Sequence, residues 1–272
     1  VTFADAAIQA RRALLDALAA LGVQRDAVVL VGAHAVYVHT GDADVPIASY
    51  TKDADLLIVP GDLQQHPTLD QAMRSAGFSH DEKRQQPGEW TSPDGHVVEF
   101  LVPDGLHTGG GRRGARIAPH SSRAARVVSG LEAAAVDHAR HLVGALVDDD
   151  PRAFELRVAG PAALIVAKTV KIGERHDDSP HRLIDKDAHD LYRLLRATET
   201  RDVAARLTAL RTDPLAGAAT ERALSWLGRL SSDRDSPIPR MAGAAEQLVG
   251  DPAAVSAATA ALVQDLLDAL GS

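Results

Sequence analysis

The sequence predicts an α+β fold: a small mixed sheet with helices, followed by an all-helical lobe. Three observations lead there. Apolar residues make up 45% of the 272-residue chain but aromatics only 3%. The core is therefore built mainly from Ala, Val and Leu, which suits helices packed around a small sheet. Short apolar runs closed by Gly or Pro recur in the first part of the chain, whereas beyond Gly160-Pro161 every segment reads as helix. A boundary near Pro151 to Pro161 gives two lobes, residues 1–155 and 156–272, with a cleft between them.

The elements follow in order. Phe3 to Leu21 has apolar residues at helical spacing and ends at Gly22. Ala27 to Val31 is a buried strand stopped by Gly32, whose tight turn lets Ala33 to His39 restart as a helix. Gly41 to Tyr50 is a loop containing Pro46. Asp55 to Val59 is a strand closed by Pro60-Gly61. Asp62 to Ala76 reads as helix with a break at Pro67. Glu89 to Thr91 and His96 to Val102 flank Ser92-Pro93-Asp94-Gly95, a turn signal, and form a hairpin. Asp104 to Ser122 is rich in Gly and Arg. Leu131 to Leu146 is apolar without a clear period, and Phe154 to Val158 is one more strand. The helical part runs Ala162 to Glu174, Ile184 to Ala197, Val203 to Leu210, Ala216 to Leu230, Met241 to Val249 and Ala253 to Leu270, punctuated by prolines.

Composition narrows the function classes. The absence of cysteine excludes disulfides, thiolate metal sites and a Cys nucleophile, and fits a reducing, cytoplasmic setting. A formal charge of −8 argues against a uniformly basic nucleic-acid binder, so any such contact needs a local patch. No apolar run reaches the ~20 residues of a membrane span. Val1 to Leu21 contains Asp5, Asp16 and Arg11-Arg12, which does not read as a leader.

Asp53 and Asp55 stand two apart at the mouth of the run Leu56-Leu57-Ile58-Val59. On a strand, residues i and i+2 share a face. Two carboxylates side by side repel unless a positive charge lies between them, and a divalent metal with a nucleotide phosphate is the usual solution. On the hairpin, Val97, Glu99 and Leu101 share a face. A carboxylate among apolar neighbours is costly if unpaired, which favours a ligand role for Glu99.

Gly32-Ala33 after a strand, a helix, then Thr51-Lys52-Asp53-Ala54-Asp55 resembles the DNA polymerase β-like nucleotidyltransferase superfamily. The resemblance implies that the glycine turn, here Gly32 and Ala33, backs the triphosphate of an NTP substrate. It implies two Mg2+ ions on Asp53 and Asp55, with Glu99 as the third carboxylate from a neighbouring strand. Such an arrangement clamps ions ~3.5–4 Å apart for in-line attack at the α-phosphorus. The family's usual pair after the strand is Gly-Ser or Gly-Gly, and Ala33 departs from it; the loop from Gly32 to Asp53 is also longer than the minimal pattern.

In the helical lobe, Lys168-Thr169-Val170-Lys171-Ile172-Gly173-Glu174-Arg175 is followed by Lys186-Asp187-Ala188-His189-Asp190-Leu191. This looks like the AbiEii/MenT branch of toxin-type nucleotidyltransferases. The resemblance implies that Lys168 contacts the nucleotide and that Asp187 completes the site. Lys171 and Arg175 extend Lys168 into one basic stripe for phosphate oxygens. It further implies nucleotidyl transfer to an RNA end, with tRNA and a cognate antitoxin as partners and no membrane. The resemblance spans roughly Val28 to Leu191 and is motif-borne.

Bland readings stand beside these. Asp53 and Asp55 also suit a strand cap, Glu99 a hairpin surface, and Lys168 a pairing with Glu174 or Asp187. Gly109 to Arg126 holds five Arg and no acid. Its Arg112, Arg113 and Arg116 read either as a solvated loop or as a patch for RNA or triphosphate. His176-Asp177 and His189-Asp190 lack the further histidines of an HD-type hydrolase. His34 and His39 read as packing or loop residues, and Trp90, Trp226 and Tyr192 as core. Transfer onto a protein hydroxyl, and an inactive nucleotide- or partner-binding member of the fold, are the alternatives.

Overall fold

The computed structural model describes residues 3–41, 51–81, 86–107, 114–247 and 250–271. The α+β expectation holds: an open mixed sheet of seven strands with helices, then a helical C-terminal part. The chain divides into two compact units. The first comprises Val1–Ala35, Tyr50–Leu131 and His138–Ala159; the second comprises Val36–Ser49, Glu132–Asp137 and Gly160–Ser272.

The first unit contains the whole sheet. Its strands are β1 (Val28–Val31), β2 (Asp53–Ile58), β3 (Glu89–Thr91), β4 (Val97–Pro103), β5 (Arg126–Val128), β6 (His138–Gly144) and β7 (Ala153–Ala159). They lie in the order β3-β4-β2-β1-β7-β6, with β5 also on β4. β2 runs parallel to β4 and antiparallel to β1. Consequently β2 and β4 begin, and β1 ends, at the same edge of the sheet. One face is closed: Ala54, Leu56, Ile58, Val98, Phe100, Val102, Leu30 and Trp90 are all buried. Helix α1 (Phe3–Leu21) packs against β2 and β4 and beside α3 (Leu69–Ser75), using the stripe Ala10, Leu14, Ala17, Leu18 and Leu21.

Helix α3 is shorter than the helix read over Asp62 to Ala76. Pro67 keeps the preceding stretch irregular, and Thr68 starts the helix with a capping box. The Gln71 amide donates to Thr68 Oγ1 at 3.2 Å and the Thr68 amide donates to Gln71 Oε1 at 2.8 Å. The hairpin forms as expected, pairing Thr91 with Val97 and Glu89 with Glu99. The apolar run Leu131 to Leu146 has no single period because it is two elements, α4 (Glu132–Val136) followed by β6. Strand β5 has no counterpart in the sequence reading; three residues are too few to show a period.

Helix α2 (Gly32–Thr40) follows β1 directly. The second unit contains α4, α5 (Pro161–Asp178), α6 (Asp185–Ala197), α7 (Thr200–Arg211), α8 (Gly217–Leu230), α9 (Pro237–Ala244) and α10 (Pro252–Gly271). Helix α9 starts at a proline, four residues before the Met241 read from sequence, because Pro237 fits the first helical turn, where its missing N–H leaves no bond unmade. By length and composition alone, α10 is apolar enough to cross a membrane. Its Val255, Thr259, Val263 and Leu266 are buried, and it packs against α9, α7 and α6.

Trp226 is half-buried rather than core. Its ring covers Gly173, in the middle of α5, where an added Cβ would overlap the indole. The ring cannot step aside freely, since its Nε1 donates to Asp177 Oδ2 at 3.0 Å and Arg229 holds the same carboxylate at 2.8 Å. Replacing Gly173 by Ala sets an overpacking cost of about 1–3 kcal/mol against a helix-propensity gain of about 1 kcal/mol. We expect Gly173→Ala to lower stability by about 1 kcal/mol in urea titration, with a shifted tryptophan emission. A more stable variant would show that helix propensity wins and that the ring is free to move.

Candidate active site

The first unit gathers carboxylates along one row of the sheet. Asp55 pairs with Val31 on β1 and with Glu99 on β4, and Glu99 pairs with Glu89 on β3. Directly paired residues on neighbouring strands project from the same face, so Asp55, Glu99 and Glu89 stand in line. Asp53 is two residues before Asp55 and shares that face. Thr51 Oγ1 donates to Asp53 Oδ1 at 2.8 Å, fixing the carboxylate at the start of β2. Asp53, Asp55 and Glu99 are each half-buried, and Glu89 is buried.

Gly32 makes the row possible. It has φ +66, and a Cβ on it would overlap the Asp55 carboxylate, coming within 2.9 Å of Cγ. Only glycine satisfies both the left-handed turn and this approach. Ala33, half-buried, follows in the first turn of α2.

Glu99 is not a lone carboxylate. Arg126 Nη2 donates to its Oε2 at 2.5 Å and Gln86 Nε2 donates to its Oε1 at 3.4 Å. The register explains this. Arg126 pairs with Leu101, two residues beyond Glu99, and so lies on the same face. Sequence reasoning missed Glu89 and the role of Arg126. The four-residue turn read over 92–95 would pair Glu89 with Val98 rather than with the observed Glu99, and nothing in the sequence places β5 beside β4.

The donor set tests the expected magnesium. Asp53 and Asp55 offer hard oxygens on one strand face, and Mg2+ commonly takes one or two carboxylates plus water and substrate phosphate. That pair fits the ion. Among the described residues, no three His, Asp or Glu side chains are gathered as a ready-made metal group.

The second unit brings together the other predicted residues. Lys168 is buried, its Nζ 3.0 Å from Asp187 Oδ1 and 2.6 Å from Asp190 Oδ2. Lys171 Nζ also reaches Asp187 Oδ1 at 3.0 Å, and Arg175 Nη1 reaches its Oδ2 at 3.3 Å. Lys186 joins Asp190 at 3.3 Å. The spacing 168, 171, 175 puts these cations on one face of α5, opposite the first turn of α6. Lys171 is the open member, with 43% of its side chain exposed against 8% for Lys168. Nearby, His189 Nε2 is 2.5 Å from Glu246 Oε1, both side chains buried.

Burial pushes the Asp187 carboxyl up, but Lys168 and Lys171 outweigh it and hold it well below the carboxylate range. Asp190 is lowered likewise, burial being overcome by Lys168 and Lys186. Burial pulls the Lys168 ammonium down, yet Asp190 and Asp187 raise it above its ordinary value. A depressed carboxylate contributes stability above its unfolded pKa, about 3.9, and loses it as pH falls through the folded value. A raised lysine contributes fully below about 10.4 and loses it only as pH rises through its folded value. The network is therefore intact at neutral pH and fails in acid.

Of the basic-loop residues, Arg116 is exposed, while Arg112 and Arg113 lie outside the described residues, as does most of the loop from Gly41 to Tyr50.

Removing Lys168 leaves two buried carboxylates short of charge. Lys168→Met should cost about 3–5 kcal/mol at pH 7, measured by urea denaturation. The deficit should shrink toward pH 3, because the wild-type carboxylates stay ionised there and take up protons on unfolding, whereas without Lys168 burial favours their protonation already in the folded protein. An equal deficit at both pH values would mean that Lys168 acts through packing rather than charge.

In solved structures, the chain is similar to the antibiotic-resistance factor ANT(2'')-Ia, at 13% identity and TM-score 0.42, covering 79% of this chain and 97% of that one. It is also similar to an antigenic nucleotidyltransferase-like protein from Paracoccidioides brasiliensis, at 13% identity and TM-score 0.38, covering 80% and 93%. No curated protein matches the sequence. The family described as nucleotidyltransferase matches residues 9–212, a span that takes in Gly32, the carboxylate row and the Lys168 cluster, and the chain belongs to that family.

Proposed function

We propose that the chain is a magnesium-dependent transferase that moves a nucleoside monophosphate from an NTP to the end of an RNA, the tRNA 3′ end foremost, in the manner of toxin–antitoxin nucleotidyltransferases. The single observation behind the metal-dependent reading is the Gly32 turn closing onto Asp55, with Asp53 on the same strand face. Family membership supports nucleotidyl transfer itself. The acceptor and the toxin role rest on the motif resemblance around Lys168 and Asp187.

In this reading Asp53 and Asp55 hold the ions, and Glu99 is the third carboxylate within reach of their row. Bound there, magnesium neutralises triphosphate charge and lowers the pKa of the attacking hydroxyl. Gly32 keeps the turn narrow so that the triphosphate approaches the backbone. The motif resemblance assigns Lys171 and Arg175 to phosphate oxygens. Lys168, held by Asp187 and Asp190, fixes the face of α5 on which those cations stand. Asp187 orients this set.

A second reading, nucleotide binding without transfer, is favoured by one observation: Arg126 and Gln86 already occupy both oxygens of Glu99.

Incubation with α-labelled NTPs, one at a time, against total RNA and total protein separates the readings. Magnesium-dependent label in RNA is the expected outcome, and label in protein would redirect the acceptor. Binding without pyrophosphate release would support the inactive reading. In Asp55→Ala, loss of several kcal/mol of metal-borne charge stabilisation should reduce transfer about a thousandfold. Undiminished transfer by that variant would sink the assignment.

A further inference from the structure

We propose that Arg126 decides when Glu99 is available to the metal site: it holds Glu99 in the nucleotide-free protein and passes to the phosphate oxygens when a nucleoside triphosphate binds. The inference rests on the two-carboxylate reading above and specifies its regulation.

Four facts lead there. First, Glu99 is in register with Asp55, the position a third carboxylate ligand needs, yet its Oε2 is bound by Arg126 and its Oε1 by Gln86. Second, the row Asp55, Glu99, Glu89 gathers carboxylates on one face, and register puts the Arg126 guanidinium on that face beside Glu99. Third, the Arg126 side chain is 31% exposed, while its Nε is buried without a hydrogen-bond partner. Fourth, the planar fork of arginine suits a carboxylate and a phosphate equally, so one group can exchange one for the other.

The exchange has a thermodynamic consequence. A guanidinium and a divalent cation cannot both neutralise Glu99 at full strength, so Arg126 and the ion compete for it. A triphosphate that draws Arg126 away removes the competitor. Nucleotide and metal then bind with positive coupling, which must be reciprocal. An ion held by Asp53 and Asp55 alone would be the state before nucleotide arrives.

The test measures Mn2+ binding to the nucleotide-free full chain by EPR. Because Glu99 is already taken, Glu99→Gln should bind Mn2+ within about twofold of wild type, well inside the tenfold or greater loss that follows loss of a metal-supporting group. Arg126→Gln frees Glu99 and should bind Mn2+ about tenfold more tightly. In EDTA, where no ion contributes, calorimetry with a non-hydrolysable NTP should give Arg126→Gln about tenfold weaker binding, the loss of one charge-assisted pair. A tenfold weaker Mn2+ affinity in Glu99→Gln would overturn the inference, because Glu99 would then already be a ligand. Unchanged Mn2+ and nucleotide affinities in Arg126→Gln would overturn it as well. Should Arg126→Gln fail to fold, the Glu99→Gln arm decides alone. Asp55→Ala separates the two levels. If Mn2+ affinity survives that change, the carboxylate site itself is wrong. If it is lost while Glu99→Gln also weakens, only the role of Arg126 is wrong.

Discussion

Like-charge repulsion along one row of the sheet is the constraint on which the candidate site depends. Strand register, set by the apolar residues of the closed face, leaves Asp55, Glu99 and Glu89 no choice but to project together. A one-residue slip would turn Leu56, Phe100 and Trp90 out to that face, and their burial forbids it. The repulsion is thus maintained by the hydrophobic core. Arg126 relieves part of it at Glu99. Gly32 adds a steric condition, because the turn after β1 closes directly onto Asp55.

The second unit meets the same difficulty differently. Asp187 and Asp190 are one helical turn apart on α6 and buried, a placement that would be costly for either alone. Lys168, Lys171, Lys186 and Arg175 surround them, and the carboxyls stay ionised despite burial. Lys171 remains partly exposed, so the network has one end open to solvent.

The sequence made local parts of this arrangement readable. A glycine ending an apolar run, an Asp pair at i and i+2, and cations at helical spacing each depend on a few neighbouring residues. They appear in the structure at the Gly32 turn, on β2 and along α5. Glu89 was out of reach, because a four-residue turn between Thr91 and His96 would pair it with Val98, whereas five residues separate the paired Thr91 and Val97 and bring it to Glu99. Arg126 was out of reach too: β5 is three residues long and joins β4 through pairing that no periodicity announces. The sequence reads the break at Pro67 but not the irregular stretch just before it, whose composition is helical, and Leu131 to Leu146 shows no clear period because it holds two elements. Glu99 was legible as a carboxylate in the right register, while the arginine that holds it was legible only in three dimensions.

The central claim is that Asp53 and Asp55 form a divalent-cation site for a nucleotide. Anomalous diffraction from crystals grown with Mn2+ and a non-hydrolysable NTP tests it directly. The account predicts an anomalous peak in bonding contact with both carboxylates and with the phosphate oxygens. An ordered triphosphate with no metal peak at Asp53 and Asp55 would contradict it.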